Sequence, residues 1–268
     1  MGDPIDYWRS RWAARQVDLD REAAEPWALS LVVRVERANP PTRADALTAA
    51  ATAVLRLLTD EPTDEPTDEP TDEPTDEPTD ERADEPTDEP ARDEPAKDES
   101  AKEALSRWAD GWIRKVVRRA RGVRWAEVGE LPGVTVACGS AEVRALVPHP
   151  VAAPPAVLAK LQVAGLELPA TEPAPRRPGA LTIAVAPDLA LTAGKACAQV
   201  GHAAQVALLE LDRVRVGAWA ADGFPIDIVE GDKGVWARVL DGDAARVRDG
   251  GFTEVAPGTL TCAATFLP

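Results

Sequence analysis

Apolar positions along the chain alternate between strand-like runs and helix-like stripes, and they do so twice. In the first 150 residues, Leu31–Val35 reads as a strand, and Pro41–Leu58 as an Ala- and Leu-rich helix. Ile113–Val117 follows as a strand and Arg124–Val128 as a short helix; Val134, Val136 and Glu142–Val147 supply closing strands. Proline-rich breaks at Pro148–Pro155 and Thr171–Pro178 separate this from a second series. There, Leu181–Ala186 is an apolar strand turned by Pro187 and Asp188, and Ala193 to Leu211 is a helix with Val200, Ala203, Ala204, Ala207 and Leu208 on one stripe. Pro225–Val229, Arg246–Arg248 and Thr261–Leu267 are strands, and Val235–Leu240 is helical. Strands and helices in this order imply an α/β layer with helices on a mixed sheet. Gly122-Val-Arg-Trp-Ala matches Gly234-Val-Trp-Ala after a one-residue gap, and Gly133-Val-Thr matches Gly251-Phe-Thr. The expectation is therefore two similar three-layer α/β halves with mixed sheets, a fused pseudo-dimer, against the alternative of two unrelated α/β pieces.

A four-residue repeat interrupts the first half. Thr-Asp-Glu-Pro runs from Thr59 to Pro78, recurs at Thr87–Pro90 and decays up to Glu99. A proline every fourth residue blocks helix and sheet ladders, and there is nothing larger than alanine to bury, so 59–100 is expected to be a disordered acidic insert. The domain plan is then 1–150 carrying that insert, a linker at 151–177, and 178–268. The repeat also decides how the charge is read. The chain is −16 overall, but 60–99 holds 20 of its 46 acidic residues and three of its 30 basic ones, leaving a body of net +1. A basic surface on that body, and hence a nucleic-acid partner, stays open.

Other classes fall away. No run of 18 apolar residues predicts a membrane span, and Met1–Gln16 lacks the apolar stretch of a secretory signal. Cys138, Cys197 and Cys262 are far apart, which suits a reducing cytoplasm. Arginine outnumbers lysine and alanine is abundant, as in GC-rich bacterial genomes. There is no GxGxxG after a strand and no GxSxG elbow, and Gly194-Lys195 lacks the Ser or Thr of a P-loop. With two histidines, His149 and His202, a His-rich metal site is not expected.

Two stretches remain. Lys195, Gln199 and His202 are spaced i, i+4, i+7 and share a helix face opposite the apolar stripe. Lys195 falls in the first turn, where a cation opposes the helix dipole but can grip an anion. Between two strands, Asp249 opens a Gly- and Pro-rich loop with Thr253, Thr259 and Thr261 nearby. Taken singly, Lys195 fits a solvated lysine, His202 a structural histidine, and the loop a tight turn.

Taken together, the stretches resemble the type 2 peptidyl-tRNA hydrolase family over roughly 181–268, and in particular its long actinobacterial members with an extra N-terminal half. The motif Gly-Lys-x-x-Ala-Gln-x-x-His-Ala falls on Gly194, Lys195, Ala198, Gln199, His202 and Ala203. The pattern Asp-Ala-Gly-x-Thr-x-x-x-Pro-Gly-x-x-Thr falls on Asp249, Gly251, Thr253, Pro257, Gly258 and Thr261, with Gly250 in place of alanine. The resemblance implies cytoplasmic hydrolysis of the ester joining a peptide to the 3′ end of tRNA, without metal or cofactor. It implies Lys195, Asp249, Thr253 and Thr261 as catalytic residues, with Gly194, Gln199 and His202 in support. Asp249 would orient or deprotonate a water, Lys195 and the helix N-terminus would meet the oxyanion or the terminal phosphate, and Thr253 and Thr261 would position Asp249 and the water. Ala193 stands where the family usually has a second lysine, Phe252 where an arginine is common, and Glu254 where a glutamine is. These changes are expected to weaken RNA affinity.

Aligned the same way, the first half places Asp45, Ala49 and Thr52 opposite Lys195, Gln199 and His202, with Leu131 opposite Asp249 and Val143 opposite Thr261. It is expected to be non-catalytic and to serve as a built-in partner, leaving the chain monomeric. It is also expected to touch tRNA through Arg114, Lys115, Arg118, Arg119, Arg121 and Arg124. The alternative is a solvated strand edge. Trp108, Trp112 and Trp125 read as core rather than stacking platforms. Two rival functions are a catalytically weak tRNA- or protein-binding module and a hydrolase of another acyl ester.

Overall fold

The computed structural model describes residues 3–17, 19–60, 95–170 and 176–268. The N-terminal half runs α1 (Pro4–Ala14), α2 (Leu19–Ala24), β1 (Trp27–Arg34), α3 (Arg43–Thr59), α4 (Pro95–Asp110), β2 (Arg114–Ala120), α5 (Val123–Gly129), β3 (Gly133–Cys138), β4 (Ala141–Leu146), β5 (His149–Pro150) and α6 (Ala156–Ala159). The C-terminal half runs β6 (Leu181–Val185), α7 (Ala193–Glu210), α8 (Arg213–Ala221), β7 (Ile226–Val229), α9 (Lys233–Asp241), β8 (Ala245–Arg248) and β9 (Leu260–Thr265).

The two halves share one topology. Strand order is β2-β1-β4-β3 in the first sheet, where β5 adds to β1, and β7-β6-β9-β8 in the second. In each, the first two strands of the half pair in parallel and the remaining ladders are antiparallel. The long helices also start alike. Thr42 caps α3 by accepting from the Asp45 amide, and Thr192 caps α7 by accepting from the Lys195 amide. That common cap sets Asp45 opposite Lys195.

The halves meet where α3 packs on α7, and a single apolar core runs through both. Small residues make the approach close. Ala46, Ala49, Ala50 and Ala53 lie in α3, Ala196 and Ala204 in α7, and a Cβ on Gly201 would come within 3.1 Å of Val54. The bidentate pair Arg43–Glu230, at 2.8 Å for each bond, ties the edges of the two halves. Helix α1 covers the carboxyl ends of both central helices: Trp8 Nε1 donates to Leu58 O, and Arg9 donates to Leu208 O and Leu211 O.

Several expectations change. α7 has no solvated polar face; sheet, α3 and β2 enclose it, so Gln199 and Gln205 are buried. The matching of Gly133–Thr135 with Gly251–Thr253 fails, since β3 and β8 are the equivalent strands and Gly251 lies beyond β8. The counterpart of the Asp249–Thr259 loop is the turn Gly139–Ser140, not Leu131. The insert expected at 59–100 lies mostly outside the described residues, but Thr59 closes α3 and α4 begins at Pro95. It occupies a connection that in the C-terminal half is only Leu211–Asp212. The segment expected as linker at 151–177 packs in part on the first half, burying Leu158, Leu161 and Leu166.

Candidate active site

Asp249 follows β8 immediately, and its position is set by main chain. The β8–β9 register shifts between Val247 and Arg248, a bulge that re-aims the strand end. Asp249 N then donates to Thr259 O and Gly258 N to Asp249 O, closing the loop on itself. Gly251 has φ +78°, and any side chain there would strike the Pro257 ring. Glu254 closes the loop onto the helix. Its carboxylate accepts from Thr192 N at 3.0 Å and Thr192 Oγ1 at 2.6 Å, beside the positive end of the α7 dipole.

On that frame a polar chain assembles. Lys195 Nζ donates to Asp249 Oδ2, and to Thr253 Oγ1 at 2.9 Å. Gln199 Nε2 donates to the same Oδ2 at 2.7 Å, and Gly251 N to Oδ1 at 2.7 Å. Thr261 Oγ1 donates to Gln199 Oε1 at 2.5 Å, which fixes the amide with its NH2 toward Asp249. The ion pair is nearly dry, with side-chain exposures of 11% for Lys195 and 6% for Asp249. A buried pair whose carboxylate also accepts from Gln199 and Gly251 N is costly to break from one side, so the geometry is rigid. Thr253 thus holds Lys195 and Thr261 holds Gln199; neither touches Asp249 directly. A Cβ on Gly194 would meet only ordinary contacts at 3.9 Å or more.

His202 lies outside this chain. Its Nδ1 is 3.2 Å from Lys115 Nζ, which reaches in from β2, lies over the Trp108 ring and donates to Gln205 Oε1 at 2.5 Å. Burial, with the Lys115 and Lys195 charges beside it, holds the imidazole well below the ordinary histidine range. Burial likewise pushes the Lys115 amine down. The cysteines are free, and Cys197 is buried with its thiol pushed up to about 12 by desolvation, which leaves it a poor nucleophile. Among the described residues no cluster of His, Cys, Asp or Glu could hold a metal, and no helix is long and apolar enough to cross a membrane.

The six basic residues of 114–124 do not form one surface, because strand alternation divides them. Lys115 turns inward. Arg114 pairs with Glu22 at 3.0 Å and lies 4.4 Å over the Phe252 ring. Arg118 is half-buried, its guanidinium pushed down by desolvation, and donates to Leu161 O. Arg119 binds Gln162 and Gly165 O, and Arg124 pairs with Glu127. Arg119, Arg121 and Arg124 instead join Arg37 and Lys160, which sequence reading missed, around a cleft of about 730 Å³ at the carboxyl ends of β1 and β2. Trp112, expected in the core, is 42% exposed, whereas Trp108 is buried.

At the turn equivalent to the Asp249–Thr259 loop, the first half is closed. Asp45 Oδ2 accepts from Ser140 N and Oγ, at 2.9 and 2.7 Å, and a side chain on Gly139 would strike the Asp45 carboxylate.

Comparison with known proteins adds one decisive match. Over 87 residues the chain is 33% identical to the peptidyl-tRNA hydrolase of Thermococcus onnurineus (strain NA1), taking in 29% of this chain and 74% of the relative. The chain belongs to the peptidyl-tRNA hydrolase family. Residues 58–92 also match the PT disordered repeat model. At the edge of this site the Arg114 guanidinium lies over the Phe252 ring from the other half.

Proposed function

We propose that the chain hydrolyses the ester of peptidyl-tRNA in the manner of the type 2 enzymes and their long actinobacterial members, working in the cytoplasm. Residues 178–268 form the catalytic half, and 1–150 a non-catalytic partner that makes the chain its own dimer. The observation that carries this reading is the dry Lys195–Asp249 pair at the start of α7. A lysine ammonium has three N–H groups, and two have acceptors in Asp249 and Thr253. The third, with the amino end of α7, meets the oxyanion that develops when water attacks the ester carbonyl. Asp249 orients that water and compensates the charge of Lys195 in the free enzyme. Thr253 positions Lys195, and Thr261 positions Asp249 through Gln199. The basic cleft of Arg37, Arg119, Arg121, Arg124 and Lys160 contacts the tRNA backbone.

The test is release of free tRNA from N-acetylaminoacyl-tRNA. Asp249→Ala is expected to lower kcat about a hundredfold or more while tRNA binding persists. Binding of tRNA by the wild-type chain without release of product would leave the non-catalytic module as the better reading.

A further inference from the structure

We propose that the N-terminal half completes this site with a stacking shelf of Trp112, Arg114 and Phe252, which receives the unpaired base next to the scissile ester. The proposal rests on the peptidyl-tRNA reading and names where the RNA end sits. Phe252 lies directly before Thr253, an acceptor of Lys195, so it stands at the mouth of the polar chain. Its ring covers Gly250 and is 61% exposed. Trp112 stands edge-on to it, with ring centroids 6.3 Å apart. Two large exposed aromatics in contact beside this polar chain are costly to leave in water, and they match the faces of a splayed nucleobase.

The third wall is a cation. Arg114 lies 4.4 Å over Phe252, and Glu22 of α2 anchors it through Nε. An arginine held in this way can stack with a base and meet the adjoining phosphate. The backbone pays for the arrangement locally: Ile113, between Trp112 and Arg114, has φ +48°, a strained value for a β-branched residue. That twist brings alternate residues of one chain to the same mouth. The shelf thus has two supports from one half and one from the other, and 178–268 alone would hold only Phe252.

The shelf suits a base rather than a peptide side chain because its arginine, anchored by Glu22 and stacked on Phe252, can meet the phosphate that adjoins a base. The test compares binding of deacylated tRNA with the same tRNA lacking its 3′-terminal adenosine, using the full chain. Wild type is expected to lose about tenfold in affinity with the adenosine, the size of one base–aromatic stack. Phe252→Ala and Trp112→Ala are each expected to shrink that difference to roughly twofold or less, and Phe252→Trp to preserve it. Both side chains reach the surface, Phe252 more than Trp112, and a retained thermal transition verifies folding. Equal affinity of wild type for the two RNAs would overturn the proposal, as would discrimination that survives both alanine variants. A rise in KM that follows the identity of the peptide side chain would do the same, because it assigns the shelf to the peptide. Deacylated tRNA needs no turnover, so failed hydrolysis would count against the peptidyl-tRNA reading and leave this comparison standing.

Discussion

Thr261 is fully buried, and its hydroxyl serves Gln199, which serves Asp249. Thr261→Val leaves the Gln199 carbonyl without that donor, and is expected to cost about 1–3 kcal/mol of stability, read by urea unfolding. It should also lower kcat while leaving tRNA affinity unchanged. Unaltered stability and rate would show that Gln199 is held by other means. His202 gives a prediction in pH. Its folded pKa is depressed, so between that value and about 6.5 the unfolded chain binds the extra proton, and stability falls as pH is lowered through this window. His149, depressed chiefly by burial, acts with the same sign. His202→Gln is expected to flatten the thermal midpoint against pH between about 6.5 and 5, without abolishing the remaining slope. Spacing put Lys195, Gln199 and His202 on one helix face, and sequence reading went that far correctly. It could not reveal that a lysine 87 positions earlier would draw His202 into a different contact.

The elements that sequence reading recovered are those with strong periodicity and caps, such as α3, α7, β1 and β6. α4 was lost because its start shares the acidic, proline-bearing composition of the repeat before it. α8 (Arg213–Ala221) was lost because Arg and Val alternate across its first turn, which mimics a strand. The region after Pro148 looks like a linker by composition, yet Leu158 and Leu161 bury against Val32, Ala120 and Val128. The α3–α7 contact depends on a missing side chain. Gly201→Leu should force the helices apart and destabilise the chain by about 1–3 kcal/mol, as measured by denaturant midpoint, and a neutral result would mean Val54 can yield. The basic cleft has its own test. Arg119→Glu with Arg121→Glu is expected to weaken tRNA binding and flatten its dependence on salt, and unchanged binding would remove the cleft from the RNA path.

At the scale of the molecule, the repeat joins two helices whose counterparts are joined by two residues, so no tertiary contact among the described residues requires it. Removing 61–94 takes out 17 acidic and two basic residues, and moves the formal charge from −16 to −1. The shortened chain is expected to keep its cooperative thermal transition and to bind tRNA more tightly at low salt. A lost transition would give the repeat a structural role. The shared topology was legible from the order of strands and helices, but the pairing of the loops was not, because a two-residue turn and an eleven-residue excursion have no residues to compare. That closed turn at Gly139–Ser140 carries a consequence for stoichiometry. Two identical subunits must present every groove twice, and a change that helps one copy is imposed on the other. Here the second copy of the site is taken up by the Asp45 contact to Ser140, so each polypeptide should saturate with one equivalent of RNA, and that half is free to diverge in the service of its neighbour.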